Sequence, residues 1–126
     1  MRDRAFYEET VQGYMAAVDS LDPDAALAFF SEDPVLLLEP MGVVMRGRGE
    51  VRAAFAGLAE ASAEMRHEIL RLVVDVEQRI VAIELNYHDT PKDGGPKKVL
   101  HDATHAHFDA DGKIQRVQVW FGQDVA

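Results

Sequence analysis

Val99-Leu100-His101-Asp102-Ala103-Thr104-His105-Ala106-His107-Phe108 is the stretch on which the reading of this chain turns. Successive side chains of a strand point to opposite faces of the sheet. One face then carries Leu100, Asp102, Thr104, Ala106 and Phe108, while His101, His105 and His107 point the other way. The first set is apolar except for one carboxyl and one hydroxyl, so it reads as the side toward a core or pocket. The histidine side reads as the outer face. Ala110-Asp111-Gly112 marks a tight hairpin, and Lys113 to Phe121 forms the returning strand. There Val117, Val119 and Phe121 extend the inner wall, and Arg116, Gln118 and Trp120 extend the outer one.

Upstream of this hairpin, His67 to Glu77 and Arg79 to Tyr87 read as two more strands rich in Val, Ile and aromatic residues. Ile83, Leu85 and Tyr87 join the inner wall, Glu84 and Asn86 the outer. Asp89 to Pro96 contains Pro91, Gly94, Gly95 and Pro96 and is expected to be a loop. The first half of the chain has a different period. Val11, Tyr14, Met15 and Val18 recur at helical spacing, with Phe6 and Tyr7 one turn earlier, which predicts a helix over Asp3 to Ser20. Asp22-Pro23-Asp24 reads as an N-cap followed by proline at the first helical position, opening a short second helix with Ala26, Leu27, Phe29 and Phe30. Val35-Leu36-Leu37-Leu38 is a buried strand ending at Glu39-Pro40. Met41-Gly42 turns the chain into a short strand at Val43 to Met45. Gly47 to Glu60 is a third helix, with Val51, Ala54, Phe55 and Leu58 on one face. Helices followed by a run of strands predict an α+β fold, the three N-terminal helices packed on one face of an antiparallel sheet.

A length of 126 residues suits one domain over residues 1–126, large enough to bury a core without staples. With no cysteine, neither a disulfide nor a thiolate metal site is available. The formal net charge of -9 argues against nucleic acid and anionic membrane, both densely negative. No apolar run approaches the roughly 20 residues that span a bilayer. Met1-Arg2-Asp3-Arg4 leads into an amphipathic stretch rather than a secretory apolar core, so a cytoplasmic location is expected.

Three stretches resemble ketosteroid isomerases, within the nuclear transport factor 2-like superfamily and its SnoaL-like group. They are Val11-Gln12-Gly13-Tyr14-Met15-Ala16-Ala17-Val18 continuing from Asp22 to Asp33, Leu38-Glu39-Pro40-Met41-Gly42 followed by Arg46-Gly47-Arg48, and His107 to Ile114 running on to Val119-Trp120-Phe121-Gly122. The pattern Phe108-Asp109-x-x-Gly112-Lys113-Ile114 is widespread in the superfamily and speaks for fold rather than activity. The resemblance implies a cone-shaped, curved antiparallel sheet closed by three helices around an apolar pocket. It also implies a mechanism: a carboxylate moves a proton next to a ketone while a tyrosine and a protonated aspartic acid donate hydrogen bonds to the dienolate oxygen. Matched residue by residue, Glu39 takes the base position and Tyr14 the first donor position. The second donor position falls on Thr104, a departure, since a threonine hydroxyl is a weaker donor than a carboxylic acid.

Each candidate has a plainer reading. Glu39 at a strand end is also an ordinary solvated carboxylate, and Tyr14 on the helix stripe is also a core tyrosine. Asp102 on the inner face, an alternative donor, base or water-orienting residue, is equally a partner for Arg71 or Arg116 in a structural salt bridge. Val18, Phe55, Ile83, Leu85, Leu100, Val117, Val119 and Phe121 are the expected substrate walls. A pocket of that kind desolvates carboxylates and raises their pKa. A His-x-His pair on a strand can chelate zinc, but on the outer face His101, His105 and His107 read better as a polar subunit contact, with Trp120 as its anchor. In this superfamily that face commonly mediates dimers, so a homodimer is expected.

Two functions stay open. One is an isomerase-like enzyme that moves a proton next to a carbonyl of a small hydrophobic, steroid- or polyketide-like substrate, with related cyclisation or dehydration beside it. Glu39, Tyr14, Asp102 and Thr104 would act there without a metal or cofactor, because a carboxylate and hydrogen-bond donors suffice. The other is a dimeric module that binds a small ligand and does no chemistry.

Overall fold

The computed structural model describes residues 2–125. Helix α1 (Arg4–Asp19) is capped by Asp3, whose carboxylate accepts the Phe6 N–H at 3.0 Å. Helix α2 (Pro23–Leu27) is capped by Asp22, which accepts the N–H groups of Asp24 and Ala25. Strands β1 (Phe30–Glu39) and β2 (Val43–Arg46) form a hairpin, and helix α3 (Gly47–Ala61) follows. The chain then runs through β3 (Ser62–Asp75), β4 (Ile80–Pro91), β5 (Lys98–Phe108) and β6 (Ile114–Trp120).

The six strands form one sheet in the order β2-β1-β6-β5-β4-β3. The expected α+β class is what the chain adopts. The sheet is mixed rather than wholly antiparallel, however: β1 runs parallel to β6, with Leu36 beside Val117 and Leu38 beside Val119. The reason is connectivity. Strands β3 to β6 fold as a meander, and β6 returns beside a strand made before α3, with no hairpin to reverse its direction. The expected loop at Asp89 to Pro96 begins later, since β4 continues to Pro91 and pairs there with Ser62.

From His101 to Phe108 the alternation of β5 is kept: Asp102, Thr104, Ala106 and Phe108 are buried, and His101 and Ala103 are exposed. The core joins Tyr7, Val11, Tyr14 and Met15 of α1 to Val51 and Phe55 of α3 and to inner-face residues such as Val81, Leu85 and Val117. The hairpin glycine Gly112 has φ +82, and a Cβ there would lie 2.8 Å from the Phe6 ring, so both backbone and space require glycine. Among the described residues no helix is long and apolar enough to cross a membrane.

Candidate active site

Between α1, α3 and the inner face of the sheet lies a cavity of about 600 Å³, its open mouth included. Met15, Val18, Leu36, Leu38, Phe55 and Leu58 line it together with Leu85, Val117, Val119 and Phe121. Set into this apolar wall are five polar side chains: Tyr14, His67, Tyr87, Asp102 and Thr104. Apolar lining with a few convergent polar groups is the usual make-up of a small-molecule site.

Asp102 is 4 % exposed. Its Oδ1 accepts the main-chain N–H of Gly122 at 3.0 Å. Burial raises its pKa; the Gly122 hydrogen bond and the charges of His67 and His101 oppose the rise without cancelling it. Neither Arg71 nor Arg116 meets it, contrary to the salt-bridge reading. Arg71 lies 3.8 Å from Glu84, and Arg116 reaches Gln118. The approach of Gly122 to Asp102 depends on glycine, because a Cβ at that position would stand 1.7 Å from the His101 carbonyl oxygen.

Thr104, two residues along the same face, is as buried as Asp102. Tyr14 enters from α1, held by edge contacts with Phe29, Phe30 and Phe55. Burial raises its hydroxyl pKa, so it is a neutral donor at any ordinary pH. Tyr87 on β4 donates its hydroxyl to Asp89 Oδ2 at 3.1 Å, and its pKa is also raised, first by burial and then by the Asp89 charge.

His67, expected to begin its strand, lies inside β3 because that strand already starts at Ser62, and it lines the cavity as well. Its Nδ1 lies 2.5 Å from Asp19 Oδ1, and its main-chain N–H donates to Asp19 Oδ2 at 2.9 Å. Its ring packs 5.1 Å from that of Tyr87. A signal for His67 existed: it stands two residues after Met65, which is buried, on the same strand face. The link to Asp19, 48 residues away, had none.

Several expected site residues fall elsewhere. Glu39 is not among the residues lining the cavity. Leu36 and Leu38 occupy the inner positions of β1, so alternation turns Glu39 away, opposite Trp120. Ile83 is a buried core residue that does not line the cavity. Leu100, paired with Tyr87 and bridged to Asp124, is not on the wall either. Val18, Phe55, Leu85, Val117, Val119 and Phe121 do line it. On the outer face His101 Nε2 lies 2.8 Å from Glu84, and the His105 ring packs edge-on to Trp120 at 4.8 Å.

Residues 11–117 match the model of the SnoaL-like domain. The chain belongs to this family. Its fold is that of the nuclear transport factor 2-like superfamily. Among curated proteins none matches the chain by sequence. Among solved structures it is similar to the epoxide hydrolase/cyclase-like enzyme SalBIII of pyran ring formation in the polyether salinomycin: 25 % identity, TM-score 0.83, 98 % of this chain and 95 % of that one covered. It is also similar to a protein with a ketosteroid isomerase-like fold from Catenulispora acidiphila, in complex with trimethylamine, at 20 % identity and TM-score 0.81 over 90 % and 85 % of the two chains. BvnE pinacolase from Penicillium brevicompactum superposes at 16 % identity and TM-score 0.81, over 94 % and 86 %. The SnoaL-like domain and its neighbours thus include cyclases and isomerase-like proteins.

Proposed function

We propose that this SnoaL-like domain is a cofactor-independent acid–base enzyme that rearranges a small hydrophobic, oxygen-bearing substrate inside the cavity. One observation carries the reading: a single carboxyl, Asp102, is buried in the wall of an apolar cavity that the hydroxyl-bearing residues Tyr14, Tyr87 and Thr104 also line. Desolvation makes such a carboxyl a stronger base when ionised and leaves it protonated to higher pH, both useful for proton transfer. Asp102 takes or returns the proton. Tyr14 and Thr104 donate hydrogen bonds to the substrate oxygen on which charge develops. Asp102 thereby takes the place expected for Glu39, which favours a SnoaL-type cyclisation or dehydration over the ketosteroid isomerisation implied by the resemblance. A steroid- or polyketide-like compound remains the proposed substrate class.

The test needs no knowledge of the natural substrate. 5-Nitrobenzisoxazole is a flat apolar probe of bases in desolvated sites. Removal of its C3 proton breaks the N–O bond, and the electron pair comes to rest on oxygen as a coloured 2-cyano-4-nitrophenolate. Asp102→Asn is expected to lower the rate by roughly 100-fold or more. Wild-type protein no faster than free acetate, or a folded Asp102→Asn variant with undiminished rate, removes the proposal.

A further inference from the structure

We propose that His67, oriented by Asp19, is a second proton-transfer group in the same cavity, so that the site serves reactions in which two protons move and the substrate carries an acidic hydroxyl of the enol or phenol type. The proposal rests on the reading of this cavity as the substrate site.

The geometry points to one tautomer. An ionised carboxylate only accepts hydrogen bonds. Asp19 receives the main-chain N–H of His67 on one oxygen and stands 2.5 Å from Nδ1 on the other. Nδ1 therefore carries the proton, and Nε2 keeps the lone pair in the neutral ring. Among the described residues Nε2 has no hydrogen-bond partner, whereas Nδ1 is fully engaged. The ring is set on its other side by Tyr87. A histidine that lines an apolar cavity with one nitrogen clamped and the other vacant is poised to exchange a proton with whatever enters.

The dyad is well placed to cooperate with Asp102. Both line the cavity, and the His67 charge acts on the Asp102 carboxyl. The titratable groups around the imidazole come from three elements: Asp19 and Tyr14 from α1, Tyr87 and Asp89 from β4, and Asp102 from β5. On its own strand Glu68 turns to His88 and Asn86 instead. The two tyrosines stay neutral, being raised by burial, which leaves the Asp102 carboxyl and the His67 imidazole as the cavity's proton-exchanging pair. In a two-proton reaction one gives a proton to the substrate oxygen while the other accepts one from a hydroxyl or an adjacent carbon. Solvent at the mouth then restores both.

A purely structural reading also exists, since the same bonds tie the last residue of α1 to β3. His67→Asn separates the two. The asparagine amide nitrogen stands where Nδ1 stood and can still donate to Asp19, but nothing replaces Nε2. Three proteins, wild type, His67→Asn and Asp102→Asn, are compared with 5-nitrobenzisoxazole across pH 4.5 to 9. The wild-type profile is expected to rise in two steps. His67→Asn removes the upper step and keeps the lower, with unchanged melting temperature; Asp102→Asn removes the lower step, its loss of roughly 100-fold or more being read on the lower plateau, and keeps the upper. A folded His67→Asn protein with both steps intact overturns the role of His67. An Asp102→Asn protein that keeps its lower step, beside a His67→Asn protein that loses the upper, overturns the role of Asp102 alone and supports that of His67. Histidine ring ¹⁵N spectra give a second reading independent of turnover. They should show Nδ1–H with a bare Nε2, and 2-naphthol should shift the Nε2 signal. An Nε2–H tautomer, or an Nε2 signal indifferent to 2-naphthol, overturns the proposal. Asp19→Asn should let the tautomers mix.

Discussion

Strand β5 carries polar residues on both faces, and the two faces put them to opposite uses. Outside, His101 meets Glu84 with both side chains more than 40 % exposed. Water screens that pair, so it contributes little. Inside, Asp102 sits one residue further along with a single main-chain donor and a wall of leucine, valine and aromatic carbon. The residue types are equally polar; the solvent differs. A group whose charge matters chemically is one the fold has dried out, and a charge left wet on the far side of the same backbone is mostly decoration.

The largest effect should come from the inner face. Asp102→Asn is expected to cost roughly 100- to 10,000-fold in proton transfer while leaving the fold intact, measured with the benzisoxazole assay. Next comes the outer face, where we propose that Trp120 and His105 meet a second copy of the chain. Trp120→Glu should then turn a dimer into a monomer in light scattering. A wild-type protein that is monomeric at micromolar concentration breaks that side of the comparison.

A third prediction concerns pH. The folded pKa of Asp102 is raised above its unfolded value, so the native state holds a proton that the unfolded chain has released. Stability from this group is present at acid pH and falls as pH rises through the folded pKa. Chemical denaturation from pH 4 to 8 should show this decline in wild type and a flatter curve in Asp102→Asn. Equal slopes would mean that the cavity is wetter than its walls imply. Smaller still, Glu39→Gln should change turnover less than about threefold, since Glu39 lies off the cavity wall. A loss of the size expected at Asp102 would restore Glu39 to the mechanism. The least effect belongs to Glu84→Gln, less than about 1 kcal/mol by denaturant melting, because the pair it breaks is exposed.

Much of this was legible in residue order because a strand has a period of two and a helix a period of about 3.6. The repeat Asp102-x-Thr104-x-Ala106-x-Phe108 could face only one way, and the stripe from Val11 to Val18 could cover only one cavity. Glu39 was misplaced for an instructive reason. Alternation from Leu36 and Leu38 already pointed it outward, but the family resemblance drew it to the base position. The parallel pairing of β1 with β6 and the clamp of Asp19 on His67 were beyond reach, since both join residues far apart in the chain with no local periodicity to announce them. Local physics names the face of an element; which distant element it meets is decided by the whole sheet.

At Gly122 the site borrows from the backbone, and the loan changes how it can fail. The donor to Asp102 is a main-chain amide, so no substitution except proline can delete it. Every other side chain can only move it. Any side chain at residue 122 collides with the His101 carbonyl and forces the end of β6 away from β5, carrying the amide with it. A variant here would score as a loss of function while removing no recognised functional group, and a survey of side chains alone would file it as a folding defect. Its signature would be selective: a carboxyl titrating higher still, in a protein otherwise intact.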